Sequence, residues 1–326
     1  MAKNSATVRA YADIALIKYW GKQDEILRLP VNDSLAISLE ALSTTTKVTF
    51  DDALEADQVA IGGQEFEKDS KQSSRVVKHL DRIRARAGEQ RHARVESKNT
   101  FPSDTGLSSS GSAFAALTMA ATKALGQNLS TKQLSILARQ GSGSACRSVT
   151  GGIVQWFKGS DSDSSYSKTV FAHDYWDLRD VIAMVSDQTK LVSSTAGHKL
   201  APTSPLFKAR LGHVEDRLAQ VKKAIKAKDF QALGEAVEEE CFEFHAIAMT
   251  SRPSLFLWLP GSVAVFQAVR ALREQGVPAY ATVNTGHNIQ VLTLPEYERK
   301  VARALKATPG VKNILRSKIS AGPKYL

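Results

Sequence analysis

Cysteine is nearly missing: Cys146 and Cys241 are the two thiols in a chain of 326 residues. That excludes a disulfide framework and leaves no paired-cysteine spacing for a metal. Also missing is any apolar run of about 18 residues, the length that spans a bilayer as a helix. The opening string MAKNSATVRAYAD lacks the apolar stretch of a secretory leader, so a cytoplasmic protein with no membrane partner is expected. Repeats with a period of about 20 to 50 residues are absent, which sets aside solenoids and propellers. Basic runs interleaved with aromatics are absent too. The net charge is +10, but it is spread over groups such as Arg82, Arg84 and Arg86, or Lys222, Lys223 and Lys226. These sit at helical spacing opposite apolar residues and read as solvated faces, so no nucleic-acid partner is expected.

What is present is an ordinary globular composition, 43% hydrophobic and 23% charged. The length suits one large domain or two. Organisation centres on Phe101 to Ala115, FPSDTGLSSSGSAFA. Breakers at Pro102 and Gly106 precede a run of small residues, and a helical pattern begins at Ala113. A loop of small residues feeding a helix start exposes backbone N–H groups and the positive end of the helix dipole, a geometry that holds phosphate. No Lys follows Gly111, so this is not the Walker loop, nor is it the dinucleotide fingerprint. A Ser-rich linker before a core helix would look the same.

Around this stretch the chain alternates strand and helix patterns. Strands are expected over Ala6 to Ile17, Leu35 to Leu39, Thr44 to Phe50, Ala93 to Ser97, Gly151 to Phe157 and Val181 to Val185. Helices are expected over Asp69 to Ala87 and Thr131 to Gln140, the latter with Thr131 as N-cap. Thr203, Ser204 and Pro205 should start a further helical region running to Gln275, with breaks at Lys228–Asp229 and Ser251–Pro253. Gly159 to Lys168 and Lys190 to Leu200 read as polar stretches. The tail, Ala279 to Ile319, reads helix–strand–strand–helix–strand once the helix before it is counted. That is the pattern of a ferredoxin-like α+β half.

Three polar strings stand out from this core pattern: KYWGK, FPSDTGLSSSGS and GSGSACRS. With KLVSSTAGH and TVNTGHN they resemble, in order and spacing, the mevalonate diphosphate decarboxylases of the GHMP kinase superfamily, from Ala10 to Leu294. The resemblance implies an α+β fold of two domains. Residues 1–189 would form an N-terminal ATP-binding, ribosomal-protein-S5-like half, and 190–326 a ferredoxin-like half, with the active site between them. It implies ATP-dependent phosphorylation of the 3-hydroxyl of 5-diphosphomevalonate, then loss of phosphate and carbon dioxide to give isopentenyl diphosphate. ATP and Mg²⁺ are the implied cofactors and a homodimer the implied assembly.

By the same resemblance, Gly106, Ser108, Ser109 and Ser110 would hold the ATP phosphates, with Ser97 and Asn99 near the nucleotide. Tyr19, Lys22, Ser142, Ser144, Ser194 and Thr195 would line the substrate's phosphate site, and Lys18 would lie beside the reacting hydroxyl. Arg147, a rigid charged fork, suits the substrate carboxylate. His245 is expected as a satisfied histidine on a helix face, and Cys146 as a packing residue.

Departures qualify these expectations. Asn284 stands where the family carries a catalytic carboxylate, and an amide can neither accept the hydroxyl proton nor pair with a lysine charge. Asp13 stands where the family usually carries asparagine, so Asp13 is expected to supply the carboxylate that Asn284 lacks. Thr195 replaces an arginine found in some members, which fits a 5-monophosphate substrate as the alternative. A kinase without decarboxylation, or a silent homologue, would follow if Asn284 disables the site.

Overall fold

A computed structural model describes residues 4–189 and 192–326 of the protein. The N-terminal half is built on β1 (Ser5–Ile17), buried on both faces from Ala10 to Ile17. A small hairpin, β2 (Lys22–Asp24) and β3 (Leu29–Pro30), leads into β4 (Ser34–Asp51). The stretches expected as two strands, Leu35 to Leu39 and Thr44 to Phe50, are thus one continuous strand. It pairs antiparallel with β1, and the register slips between Tyr11 and Asp13. Such a bulge re-aims a side chain, and Asp13 follows it.

β5 (Gln58–Ile61) and the edge strand β6 (Gln64–Phe66) are four and three residues long, too short for an alternating pattern to announce them. Then come α1 (Lys71–Ala87), capped by Ser70 and closed by Gly88 at φ 67°, and β7 (His92–Asn99). Gly88 can take this left-handed conformation without a Cβ penalty. After α2 (Ser109–Ala124), α3 (Thr131–Gly141) is capped by Ser130 in a capping box with Gln133, one residue earlier than expected. A 3₁₀ segment, Gly143–Val149, precedes β8 (Ile153–Trp156) and β9 (Ser167–Phe171). The sheet runs β6-β5-β7-β4-β1, with β8 also on β4 and β9 on β8. Helices α1, α2 and α3 cover one face through Leu80, Ile83, Phe114, Leu117, Leu134 and Leu137.

The second half starts with β10 (Arg179–Met184). A helical layer follows: α4 (Ser194–Leu200), α5 (Phe207–Leu211), α6 (Val214–Ala227), α7 (Phe230–Thr250) and α8 (Pro260–Glu274). Within the polar, small-residue stretch expected up to Leu200, residues Ser194–Leu200 are helical, with Ser193 accepting from the Ala196 amide as the cap. Then β11 (Ala279–Thr282), β12 (Ile289–Thr293), α9 (Glu298–Lys306) and β13 (Asn313–Lys318) complete an antiparallel sheet in the order β11-β12-β10-β13. This is the ferredoxin-like arrangement, and its first strand is β10. The division expected at 189/190 meets the undescribed residue 190. β10, ahead of that division, hydrogen-bonds to β12 and β13 and so belongs to the second sheet.

The halves share a core. Ile14 and Leu16 of β1 and Leu35 and Ile37 of β4 lie in one cluster with Ile182 and Leu292 of the second sheet. The last strand, β14 (Lys324–Tyr325), returns to pair with β1. Among the described residues no helix is long and apolar enough to cross a membrane.

A candidate active site between the two sheets

The KYWGK string begins where β1 ends, and a buried charge network fixes it there. Glu240 of α7 is fully buried and accepts the Lys18 amide at 2.9 Å and Arg210 at 2.6 Å. Arg210 in turn donates to the Lys18 carbonyl at 2.9 Å, as does Asn32 at 3.1 Å. Both backbone polar groups of Lys18 are thus held by side chains, which aims Nζ into the cleft between the halves. Nζ donates to the Ala15 carbonyl at 2.6 Å and to Thr282 Oγ1 at 2.7 Å, with Asn284 Oδ1 at 3.4 Å. Burial pulls this amine down from its usual value to about 8.

Tyr19 is pressed between Trp156 and His198, the latter ring at 4.0 Å between centroids. A Cβ on Gly143 would come within 2.8 Å of the Tyr19 ring, so glycine is required there. Among the described residues the buried Tyr19 hydroxyl has no hydrogen-bond partner, and burial pushes its ionisation far above the usual tyrosine range. A buried orphan hydroxyl aimed at a cleft is where a ligand acceptor belongs.

The Ser/Gly loop has the anticipated geometry. Asp104, Gly106 and Ser108 take positive φ values of 57°, 91° and 58°, and α2 starts at Ser109. Gly111 and Ser112 amides return to Ser108 O, while none of the amides of residues 106 to 110 meets a protein acceptor among the described residues. They are left for an anion at the helix start. The loop packs on the turn after β11 backbone to backbone: a Cβ on Gly106 would lie 2.6 Å from Gly286 Cα.

Two connected hollows result. The polar one, of about 980 Å³ and open to solvent, is lined by Lys18, Tyr19, Lys22, Ser142, Ser144, Arg147, Ser194, Thr195, Asn284 and loop residues Gly106 and Ser108 to Ser110. The other is more apolar, about 1150 Å³, and lies between β5, β7, α1 and α2. Ser97 and Asn99 line it beside Val59, Val76 and Phe114, a slot suited to a planar base. Arg75, Asp104, Ser109 and Ser110 border both. All the expected site residues except Asp13 therefore line one hollow or the other.

Asp13 lies behind. Its carboxylate accepts Arg147 Nε at 2.6 Å and Nη2 at 3.2 Å, while Arg147 Nη1 donates to Ser34 at 2.8 Å. The fork meant for a substrate acid already grips one from its own chain, with two of its five N–H groups unused. Asp13 lines neither hollow, and its carboxylate goes to Arg147 rather than to the Lys18–Asn284 side expected of it. Asn284 meets Asp13 through the backbone: Nδ2 donates to Asp13 O at 3.2 Å and to Ser108 Oγ at 3.1 Å, and Oδ1 accepts from the Ala15 amide at 3.4 Å. These partners match an amide, because a carboxylate oxygen in place of Nδ2 would face the Asp13 carbonyl.

Other outcomes differ from expectation. His245 is fully buried rather than satisfied on a helix face. Among the described residues neither ring nitrogen has a well-formed hydrogen bond, although the backbone at Val283 and Asn284 lies beside the ring, and burial lowers its pKa to about 3. Cys146 is buried, with its thiol pushed up to about 12, as a packing residue should be. Arg28 and Arg75 escaped the sequence reading because one sits in a polar turn and the other on a charged helix face. Among the described residues no acidic, histidine and cysteine cluster could hold a metal alone.

Comparison with known proteins agrees with this geometry. Residues 10–167 match the model described as the diphosphomevalonate decarboxylase-like N-terminal domain, and 180–324 that of the mevalonate 5-diphosphate decarboxylase C-terminal domain. The phosphomevalonate decarboxylase of Haloferax volcanii is 33% identical over 92% of this chain and 91% of its own. The mevalonate diphosphate decarboxylase structure from Staphylococcus aureus superposes with a TM-score of 0.94 at 38% identity, covering 99% of this chain and 98% of that one. A solved complex of a protein designated MDDEF with MVAPP, AMPPCP and magnesium gives 0.92 at 37%, with the same coverage.

Proposed function

The chain belongs to the diphosphomevalonate decarboxylase family, and from that premise we propose how its cleft divides the work. The protein is an ATP-dependent decarboxylase of a 5-phosphorylated mevalonate, with ATP and Mg²⁺ as its cofactors. The base of ATP fits the slot beside Ser97 and Asn99, and its phosphates lie on the free amides of the Ser/Gly loop. Asp104, Ser109 and Ser110 are the oxygen donors beside that loop that would share Mg²⁺ with the phosphates. The ion neutralises charge on the transferring phosphoryl group.

Across the cleft the substrate's 5-phosphates meet Tyr19, Lys22, Ser142, Ser144 and Ser194, and its carboxylate meets Arg147. Once the 3-hydroxyl is phosphorylated, the C3–O bond breaks with its electron pair going to phosphate. The C1–C2 pair becomes the new double bond as carbon dioxide leaves. Arg147 holds the acid while this happens.

The diphosphate is the preferred substrate because Arg28 lines the polar hollow as a further cation, restoring the charge that Thr195 does not bring. Thr195 itself, and likeness to the Haloferax volcanii enzyme, favour 5-phosphomevalonate as the second reading. The carrying observation is the orphan Tyr19 hydroxyl facing serines and a lysine across from the phosphate loop. The test is incubation with ATP, Mg²⁺ and each mevalonate phosphate, following ADP and carbon dioxide separately. ADP alone indicates a kinase, and neither product a silent homologue. Arg147→Ala should abolish carbon dioxide release while ATP still binds; an equal collapse of ATP affinity would remove Arg147 from the substrate site.

The assembly we propose is a homodimer through the exposed apolar side chains Phe242, Phe256, Leu259 and Val263. The compartment we propose is the cytoplasm.

A further inference from the structure

We propose that Lys18, as the neutral amine, takes the proton from the substrate's 3-hydroxyl during phosphoryl transfer. The inference rests on the decarboxylase reading and names the base that reading leaves open.

Elimination comes first. Asn284 lines the polar hollow beside Lys18, but it is an amide with no proton-accepting charge, and its hydrogen bonds are those of an amide. The Asp13 carboxylate is bound by two nitrogens of Arg147. Asp104 borders the nucleotide slot as well as the polar hollow, across the loop from Lys18. His198 already accepts the Gly21 amide at Nδ1, 3.0 Å away, and lies behind the Tyr19 ring. The Tyr19 phenol is held in its neutral form by burial.

Lys18 itself has the right surroundings. Its side chain is 2% exposed, and no carboxylate lies within ion-pair distance of Nζ among the described residues. All three contacts are neutral oxygens, two short and one long. A neutral amine has two N–H groups and one lone pair. The three oxygens around Nζ match the three N–H groups of the ammonium; on loss of one proton the two short bonds to Ala15 O and Thr282 Oγ1 are kept, and the 3.4 Å contact to Asn284 Oδ1 is the one given up, leaving a lone pair on that side. A substrate hydroxyl entering there exchanges for the weakest of the three contacts.

The charged groups around Nζ pull both ways. Burial and then Arg147 of the 3₁₀ segment favour the neutral amine. Cys241 and Glu240 of α7, with Asp13 of β1, favour the ammonium. His245, also on α7, is neutral. Their balance leaves an amine poised near 8, close to the operating range that general-base catalysis needs.

The step balances simply. The hydroxyl proton moves to Nζ, and the oxygen forms a bond to the γ-phosphorus. The bond from that phosphorus to the β,γ-bridging oxygen breaks, its electron pair leaving with ADP. The ammonium returns its proton to solvent before the next turnover.

The experiment is rapid-quench measurement of ADP in a single turnover, with ATP, Mg²⁺ and 5-diphosphomevalonate (and 5-phosphomevalonate in parallel), across pH 6 to 9.5. The wild-type rate should climb about tenfold per pH unit and level off near 8. Lys18→Arg keeps the charge but cannot give up its proton. It should lose about a hundredfold and show no climb, while calorimetric substrate affinity stays within a few-fold. Asn284→Asp reinstates a carboxylate base and should move the climb at least one unit lower. A flat wild-type profile, or Lys18→Arg retaining more than a tenth of the rate, overturns the inference; the wild-type profile stands whether or not that variant folds. Absence of both ADP and carbon dioxide at every pH with either substrate defeats the decarboxylase reading itself, and the inference with it.

Discussion

Asp13→Asn is the substitution whose consequences can be worked furthest from the structure. In the ligand-free protein the Asp13 carboxylate grips Arg147 with contacts of 2.6 and 3.2 Å, both residues almost wholly buried. Removing one member of such a pair leaves a buried charge uncompensated and typically costs about 3–5 kcal/mol. Asparagine keeps one accepting oxygen for Nε, so a loss of about 2 kcal/mol is expected here. At about 2 °C per kcal/mol, that lowers the unfolding temperature by about 4 °C.

Substrate reverses the sign. A second carboxylate brought about 4 Å from Asp13 is repelled by about 4 kcal/mol at an effective dielectric of 20. Without Asp13 the guanidinium is free and the repulsion is gone, so the substrate should bind at least about tenfold tighter. Differential scanning calorimetry and isothermal titration test both halves with one protein. If the variant melts with the wild type and binds substrate no better, Arg147 is not held by Asp13 in solution.

Tyr19→Phe removes a buried hydroxyl that has no partner in the free protein, so the ligand-free variant should melt at or above the wild-type temperature. Its KM for the phosphorylated substrate should rise about tenfold with kcat little changed, the loss of one hydrogen bond to a charged group; an unchanged KM would place the phosphates elsewhere. Asp180, the second residue of β10, is buried with no well-formed hydrogen bond to either oxygen among the described residues, and burial raises its carboxyl well above the usual value against the weaker opposing effect of the Val291 backbone. The folded state then holds a proton that the unfolded chain releases. Unfolding free energy therefore falls as pH climbs from about 4 through the raised folded value and is level beyond it. Asp180→Asn lacks that fall and should be more stable at pH 7 yet no different at pH 3, by urea denaturation; equal stability at pH 7 would mean the carboxyl is satisfied.

Much of this molecule was readable from its residues. The phosphate loop announced itself because small residues and breakers precede a helical period, and the tail from Ala279 gave the ferredoxin-like strands directly. Strands β5 and β6 were silent because four and three residues are too few to show alternation. Placing β10 depended on pairing with strands more than a hundred residues later, which no local pattern encodes. Basic helix faces misled in particular places. Arg84 reads as solvated, yet it is buried against Asp57 and Asp81 at 2.7 and 2.6 Å. The complementary substitutions at 13 and 284 pointed to one cleft, but their spacing along the chain could not say which of them faced which cation. That required the bulge in β1.

The touching backbones of Gly106 and Gly286 carry an implication for how the cleft breathes. With no side chain to act as a spacer, the nucleotide cradle and the turn bearing Asn284 are keyed together like two flat plates. Neither can tilt without dragging the other. Ser194 of α4 shares a hydrogen bond of 2.8 Å with Thr285 in that same turn, so phosphate loop, turn and α4 are joined in series along one side of the hollow, and a change at any of the three is passed to the other two.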